Sequence, residues 1–443
     1  MKIKYSKQLP SLYLMFFLTM ISMSLMGQMK ENPFSGTNPW PEIRKERINS
    51  VLPKAMKAAE VDAWLVVCRE NNNDPIAHHI GGENAGGTAV FLFHLDGEGF
   101  KSIVFSPVGE ATALMDLKIH DEVRSIGRGE SSMNAAAEYI KSKEIKKIAV
   151  NSSENNEMAD GLSYTQRLAL EKAFGADAAK LVSSNELLYE WLSVKLPEEV
   201  EIMRKAAKLT SDWQYEAYKQ IVPGKSTDAD IAKFLKGKIA EYGFKDGWAP
   251  DQNPNVNSGP DRGHSHATQK IIMPGDVIQI DFGIKVHDMW VTDIQRFAYV
   301  LMPGETTAPD SVQKYWENSK QGSRIALAAM KPGVSGYDVD KAQRDFMEKQ
   351  GSEYVMWSTG HPVGYVAHDV GPSLGGAQLK NQNPRPESLK PLKPGMVFAF
   401  DGFFTWKLPQ GGEKTMSVEE MAVITENGAE YLIEPQEELI LIK

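Results

Sequence analysis

The 443-residue sequence has little of several features that mark common protein classes. It contains one cysteine, so it can form neither an intramolecular disulfide nor a cysteine-based zinc site. Its formal net charge of −9 argues against nucleic acid as the main partner, because nucleic-acid-binding proteins concentrate positive charge. The hydrophobic content of 42% is ordinary for a globular protein, and the length is enough for two domains.

An apolar stretch near the amino terminus, residues 12–26, is short for a transmembrane helix. It follows Lys2, Lys4 and Lys7 and ends in small residues before Gln28, which is the arrangement of a secretory signal peptide. Its roughly 15 residues fall short of the roughly 20 that a bilayer span needs, so an uncleaved anchor is the weaker alternative. We therefore expect residues 1–27 to be removed on export to the periplasm or the medium, with no stable membrane association afterwards.

Two acidic residues accompany apolar runs that suit β-strands. Residues 274–276 (PGD) indicate a turn, and the strand-like residues 277–280 lead directly to Asp281. A second strand-like run, residues 289–300, carries Asp293 in its middle. Adjacent antiparallel strands lie roughly 4.8 Å apart, so the two carboxylates can nearly touch, and they repel unless a positive group separates them. The alternative is an exposed hairpin with two unrelated acids.

Further motifs follow these acids in a defined order. Residues 360–364 have the sequence GHPVG, residues 368–371 HDVG, residues 394–401 PGMVFAFD and residues 418–428 VEEMAVITENG. In the order of these motifs and in their amino-acid sequences, the chain resembles the creatinase, prolidase, aminopeptidase P and methionine aminopeptidase superfamily, peptidase family M24. The HDVG motif resembles its Xaa-Pro aminopeptidase and prolidase branch. The resemblance covers about residues 197–443.

The resemblance implies a fold and a metal centre. It implies an α+β protein, with a pita-bread catalytic domain over residues 195–443 preceded by a smaller α/β creatinase-like domain over residues 40–194. It also implies two divalent metal ions. Oxygen-rich ligands with one histidine favour manganese, with cobalt, iron or zinc as alternatives. The implied ligands are Asp281, Asp293, His361, Asp401 and Glu419.

Four departures from the family pattern bear on this ligand set. Asp401 stands where glutamate is usual, so its side chain is one methylene shorter. Glu419 is followed by Glu420, and either could be the ligand, although alignment of residues 418–428 with the corresponding motif of the family favours Glu419. Ser417 stands where a basic residue is usual, and the spacing between the first two acids is one residue longer than is common.

Two histidines are expected to act on the substrate. By resemblance His264 matches the substrate-side histidine, with His266 as a competitor, and His368 matches the histidine that contacts substrate or shuttles protons. A histidine can give or take a proton near neutral pH, which cleavage requires at the leaving amine. The alternative is that both only hydrogen-bond ligand carboxylates. Trp357 replaces a histidine common in this branch and would make that wall of the pocket apolar.

The amino-terminal half alternates predicted helices and strands without a chemically distinctive motif. We expect a helix over residues 43–59 that Pro53 interrupts. Cys68 lies in an apolar run and is predicted to be buried, and the adjacent His78 and His79 are predicted to be structural or exposed rather than metal ligands. Later helices are predicted to begin at Pro197 and behind Thr227. Strands are predicted at residues 63–67, 88–93, 101–105 and 145–150, and helices at residues 133–143 and 164–173.

The resemblance predicts a dinuclear metallopeptidase that cleaves small peptides at a bond next to proline, as an Xaa-Pro aminopeptidase, using a metal-bridging hydroxide. One alternative is a prolidase, an Xaa-Pro dipeptidase. Others are a creatinase-like hydrolase of a non-peptide C–N bond, against which the four retained acids count, and a catalytically silent binding protein. We expect a homodimer and no nucleic-acid partner.

The predicted signal peptide can be tested directly. Intact-mass spectrometry of native protein from the exported fraction should find a chain that begins near Gln28 and lacks residues 1–27. Native protein in the cytoplasm with Met1 or Lys2 at its end would contradict the prediction.

Overall fold

The computed structural model describes residues 32–97, 99–263, 265–379, 382–409 and 411–443. The predicted signal peptide, residues 1–27, and His264 lie outside the described residues. Residues 33 and 34 form a turn, and residues 39–443 form a separate single unit, so the predicted domain boundary near residue 195 stays a prediction. In the described part of the chain, no helix is both long and apolar enough to cross a bilayer.

A six-stranded mixed sheet forms the centre of the amino-terminal half, with strand order β4-β3-β2-β1-β5-β6. β2 pairs antiparallel with β1 and β3, and the other three pairs are parallel. β1 is buried along its whole length, which confirms that Cys68 is a buried residue. The strands are β1 (Ala63–Cys68), β2 (Ala89–Asp96), β3 (Gly99–Pro107), β4 (Glu122–Ile126), β5 (Ile148–Val150) and β6 (Leu181–Ser183).

Helices of the amino-terminal half surround this sheet. The predicted interruption near Pro53 is confirmed, because a π-helical turn over Arg47–Val51 separates the first two helices and the proline lies in the first turn of the second. The helices are α1 (Trp40–Glu46), α2 (Leu52–Ala58), α3 (Ala77–Ile80), α4 (Val108–Asp116), α5 (Ser132–Lys141), α6 (Tyr164–Phe174) and α7 (Asn185–Leu192).

The carboxy-terminal half contains two four-stranded sheets, which meet where β12 packs against β15. The first has the order β17-β12-β9-β8 and consists of β8 (Asn255–Ser258), β9 (Val277–Phe282), β12 (Ile294–Val300) and β17 (Ile440–Ile442). The second consists of β13 (Gly360–Pro362), β14 (Val397–Lys407), β15 (Glu413–Thr425) and β16 (Gly428–Tyr431). A three-stranded ribbon is made of β7 (Lys245–Asp246), β10 (Ile284–Val286) and β11 (Trp290–Val291).

Four longer helices cover these sheets, namely α8 (Pro197–Tyr218), α9 (Asp228–Tyr242), α10 (Asp310–Ala329) and α11 (Gly336–Lys349). α8 and α9 begin where the sequence predicts, and Thr227 caps α9 by accepting a hydrogen bond from Asp230 N–H. α10 packs closely on β14, because a Cβ at Gly402 would overlap the backbone of Ser319 and Ser323. This contact supports β14 from behind, on the face opposite the Asp401 side chain.

His120 is a half-buried titratable group of the amino-terminal half. Its ring lies against Phe91 and Phe93, its Nε2–H donates to Ile80 O at 2.9 Å, and Ser102 Oγ lies 3.0 Å from Nδ1. Because a carbonyl oxygen only accepts, Nε2 carries the proton of the neutral ring. Burial lowers the pKa of His120 from 6.5 to about 4.

The lowered pKa predicts a pH-dependent stability. The unfolded histidine binds a proton below about pH 6.5, whereas the folded one does so only near pH 4. The contribution of this histidine to the free energy of unfolding is therefore complete above pH 6.5 and is lost as pH falls towards 4. By pH 4.5 the loss is on the order of 2 kcal/mol. His120→Gln keeps a donor but cannot titrate, so its unfolding free energy in denaturant should fall less from pH 7.5 to 4.5. The exposed His266, changed to Gln, is the control and should follow the wild type; equal pH dependence for all three proteins would refute the prediction.

Candidate metal centre

Five predicted ligands approach one another from both carboxy-terminal sheets. Asp281 lies on β9 opposite Gln295, and Asp293 directly precedes β12. Asp401 on β14 and Glu419 on β15 are direct cross-strand partners, so their side chains point to the same face. The fifth, His361, lies on β13 opposite Ala399.

Three of the five side chains converge tightly enough to hold one ion. His361 Nε2 lies 3.7 Å from Asp293 Oδ2 and 3.8 Å from Glu419 Oε1, and one potential ligand atom from each residue lies within 4.8 Å of the others. His361 Nδ1 lies 3.2 Å from Pro362 O, so this nitrogen carries the proton. The lone pair of Nε2 therefore faces the two acids, as metal ligation requires.

The remaining two acids border this group. Asp281 and Asp401 both raise the pKa of Asp293, the Asp281 carboxyl through a hydrogen bond as well as through its charge. The Asp401 backbone N–H donates to Thr359 O at 2.6 Å, which ties the strand residue to the segment leading into β13. The shorter Asp401 side chain thus still contributes its charge to the cluster.

The electrostatics of this cluster suit a cation. The four acids are between 3% and 7% exposed, so water screens their repulsion poorly. Burial, followed by the neighbouring carboxylates, raises the pKa of Asp293 and of Glu419 well above the usual range. Within the described part of the chain, the buried Glu419 Oε2 accepts no hydrogen bond. A divalent cation would stabilise the charged carboxylates and occupy that oxygen, so the residues present fit a metal site.

The structure distinguishes Glu419 from its neighbour Glu420. Successive side chains of a strand point to opposite faces, and Glu420 points away from the cluster. Its Oε2 lies 2.9 Å from Arg296 Nη2 and its Oε1 accepts a hydrogen bond from Gln436 N–H at 2.8 Å. Glu420 is therefore paired with a buried arginine, and Glu419 is the acid available to the cluster.

A neutral hydrogen-bond network, which sequence reasoning missed, lies beside Glu419. Ser417 Oγ donates to Gln295 Oε1 at 2.7 Å, Gln279 Nε2 donates to the same oxygen at 2.5 Å, and the Gln295 side chain hydrogen-bonds Glu419. Amide and hydroxyl groups thus surround the acid at the place where a basic residue is expected. The available signal was the occurrence of one glutamine in each of two largely apolar strands.

The strand predicted over residues 289–300 is wrong in its middle. The chain leaves strand conformation at Thr292 and Asp293, between β11 and β12. Thr292 Oγ1 accepts a hydrogen bond from Ile284 N–H at 3.0 Å, so a side chain replaces a backbone partner there. The break directs Asp293 into the cluster.

Of the residues predicted to face the substrate, His368 lies beside this cluster. The rings of His361 and His368 lie 4.3 Å apart between centroids, which places His368 beside the candidate ligands. Trp357 is 40% exposed and its ring meets that of Phe403 edge to face. His264 lies outside the described residues, and His266 is exposed.

His78 and His79 do not contribute to the candidate metal group. His79 is buried, with its ring 4.5 Å from that of Tyr365 and against that of Trp191, whereas His78 Nδ1 lies 3.8 Å from Glu83 Oε1. His79 is therefore structural, which is one of the two predicted alternatives, through its packing among aromatic rings.

The sequence is similar to those of known peptidases. Residues 201–426, about half of the sequence, match the model of metallopeptidase family M24. An uncharacterized peptidase, YqhT of Bacillus subtilis, is 27% identical over 319 residues, which are 72% of this chain and 81% of that protein. An Xaa-Pro dipeptidase of Pyrococcus furiosus is 28% identical over 253 residues, 56% of this chain and 65% of that protein.

Solved structures share the fold over most of the chain. An X-Pro aminopeptidase from Thermotoga maritima has a TM-score of 0.66 at 22% identity, over 88% of this chain and 100% of that one. The dipeptidase PepE from Mycobacterium ulcerans has a TM-score of 0.67 at 21% identity, over 91% and 98%. These similarities confirm the predicted fold class, an α+β pita-bread domain preceded by a smaller α/β domain. The matched region includes all five candidate ligands and His368, and the chain belongs to metallopeptidase family M24, the class of peptide-bond hydrolases that its motif order predicts.

Proposed function

We propose that the protein is a dinuclear metal-dependent peptidase that hydrolyses peptides at the bond next to proline and releases the amino-terminal residue. The observation that carries the proposal is the convergence of Asp293, His361 and Glu419 beside His368, with the buried Asp281 and Asp401 bordering them. Relatives named Xaa-Pro dipeptidase and X-Pro aminopeptidase support the proline selectivity.

Two divalent cations, with manganese the first expectation, would supply Lewis-acid activation of the scissile carbonyl and of the attacking water. The ligands that we propose are Asp281, Asp293, His361, Asp401 and Glu419.

The chain's own residues would carry out the proton transfers. Either Glu419 or Asp401 can accept the proton of the attacking water, because both carboxylates are buried in the cluster that would hold the ions. His368, next to His361, can donate to the oxyanion that develops on the carbonyl, or protonate the departing nitrogen.

The apolar surface of Trp357 supports the proposed preference for proline. The residue lies four positions before His361 and rests against Phe403, which is two residues beyond Asp401 on β14 and therefore on the same strand face. We propose that the indole packs against the proline ring, whose CH groups suit an aromatic face.

A second candidate function is an Xaa-Pro dipeptidase, which the curated relative from Pyrococcus furiosus favours by its name. The two activities differ in the length of peptide that the site accepts. Export after loss of residues 1–27 and assembly as a homodimer are further parts of the proposal.

The ligand assignment predicts opposite outcomes for two adjacent residues. Glu419→Gln should lower the metal content of the purified protein from about two equivalents to one or none, because a neutral amide would be a weaker metal ligand than a carboxylate. Glu420→Gln should keep the metal and instead lower the unfolding free energy by on the order of 3 kcal/mol, since it leaves the buried Arg296 without its partner. Elemental analysis and denaturant unfolding measure the two effects, and full metal content in Glu419→Gln would exclude Glu419 as a ligand.

The substrate class predicts a ranking of peptide rates. With metal supplied, an Xaa-Pro-Yaa peptide should be cleaved faster than the matched Xaa-Ala-Yaa peptide, and release of the free amino-terminal residue should be visible by mass spectrometry. Trp357→Ala should raise KM for the proline peptide more than for the alanine peptide, because only the former loses a ring contact.

Each other outcome of this assay has a defined meaning. Cleavage of Xaa-Pro dipeptides alone would identify the dipeptidase. Equal rates for proline and alanine peptides would refute proline selectivity. No turnover of any peptide at full metal loading would refute peptidase activity.

A further inference from the structure

The loop that carries His368, residues 363–371 and here called the His368 loop, is held from its inner side by Asp369. The Asp369 carboxylate is buried and accepts hydrogen bonds from Tyr365 N–H at 2.9 Å and Val370 N–H at 2.8 Å. The Asp369 N–H in turn donates to Pro362 O at 3.0 Å. Asp369 therefore holds the loop together with its side chain and ties it through its backbone to the strand that carries His361.

A buried lysine completes this anchor. Lys195 Nζ lies 3.1 Å from Asp369 Oδ2, and both side chains are almost fully shielded from water, at 1% and 0% exposure. The ammonium group also donates to Leu192 O at 2.5 Å and lies 4.6 Å from the centre of the Tyr365 ring. These contacts join the loop to the chain segment between α7 and α8.

The first glycine after His361 is required by this anchor. A Cβ at Gly364 would overlap both Lys195 Cε and Asp369 Oδ2, so only glycine allows the pair to close over the loop. The second glycine of the GHPVG motif, Gly364, is thus required by packing, independent of any ligand.

A second set of buried groups extends the anchor into the amino-terminal half. Tyr365 OH donates to Glu199 Oε1 at 2.6 Å, and Arg47 Nη1 lies 2.7 Å from Glu199 Oε2. Trp290 Nε1 also donates to Glu199 Oε1, at 3.2 Å. Arg47 opens the π-helical turn after α1, so an amino-terminal element reaches the His368 loop through Glu199 and Tyr365.

We infer that Lys195 and Asp369 are positioning residues that hold His368 over the candidate metal ligands, with Tyr365, Glu199 and Arg47 as their support. Asp369 follows His368 directly, and with its side chain drawn inward to Lys195 the His368 ring lies against His361. A buried ion pair is weak support for stability in general, but its fixed geometry restricts a loop to one conformation. The inference rests on the proposed peptidase function of this site.

The test compares Lys195→Met, Asp369→Asn and the double variant in the full chain. Each single variant should lower kcat on an Xaa-Pro-Yaa peptide about 10- to 100-fold, with metal content kept and KM changed less than twofold. Because the two residues act through one contact, the double variant should lose no more than the worse single variant. Unchanged kcat, additive losses, or losses that follow metal content would overturn the inference.

Lys393→Met is a control at a second, more exposed ion pair between the same two regions. Lys393 Nζ lies 2.7 Å from Glu190 Oε1, so this pair likewise joins α7 to the carboxy-terminal half, but it does not touch the His368 loop. Its kcat should equal that of the wild type.

If the Lys195 and Asp369 variants do not fold, Tyr365→Phe tests the inference instead. This change removes one hydrogen-bond donor to Glu199 while keeping the ring. It should lower kcat about tenfold, within the range for residues that support metal ligands, with no change in metal content.

Hydrogen exchange separates failure of the inference from failure of the proposed function. Without substrate, amides of residues 363–371 should exchange faster in Lys195→Met than in wild type and in Lys393→Met. Equal exchange in all three would overturn the anchor even if the enzyme is active. Faster exchange in a protein that cleaves no peptide would keep the anchor and overturn only the peptidase function.

Discussion

The repulsion among four buried carboxylates is the constraint on which the carboxy-terminal half depends. Asp281, Asp293, Asp401 and Glu419 come from two sheets, and each lies where water screens charge poorly. Such an arrangement survives only if the backbone around it is held firmly by other contacts. The tight packing of α10 on Gly402 and the cross-strand pairing of Asp401 with Glu419 provide that support.

Charges near the cluster are separated by strand alternation rather than by distance in the sequence. Glu420 is drawn to Arg296 on one face of β15, which leaves Glu419 on the other. Arg296 Nη1 also donates to Glu419 O at 3.2 Å, so the same arginine fixes the backbone of the candidate ligand. Beside the other candidate ligands, the neutral side chains of Gln295 and Ser417 lie near Glu419 on that face, and they do not neutralise its negative charge.

The amino-terminal half takes part in this organisation through buried polar contacts. Arg47, in a π-helical turn, reaches Glu199 at the start of α8, and Glu199 in turn accepts from Tyr365 of the His368 loop. Single π-helical turns are rare and occur frequently at functional sites. The site is consequently supported from both halves of the chain, although its candidate ligands all come from one.

Local signals in the sequence determined much of the secondary structure, and the motif order determined which residues to expect at the site. Pro53, Pro197 and Thr227 mark helix boundaries because proline and capping side chains act within one turn. Only the tertiary structure decided the break at Thr292, the choice between Glu419 and Glu420, and the pairing of Lys195 with Asp369. These features depend on partners distant in the sequence, and periodicity and propensity carry no information about which distant side chain a buried charge will meet.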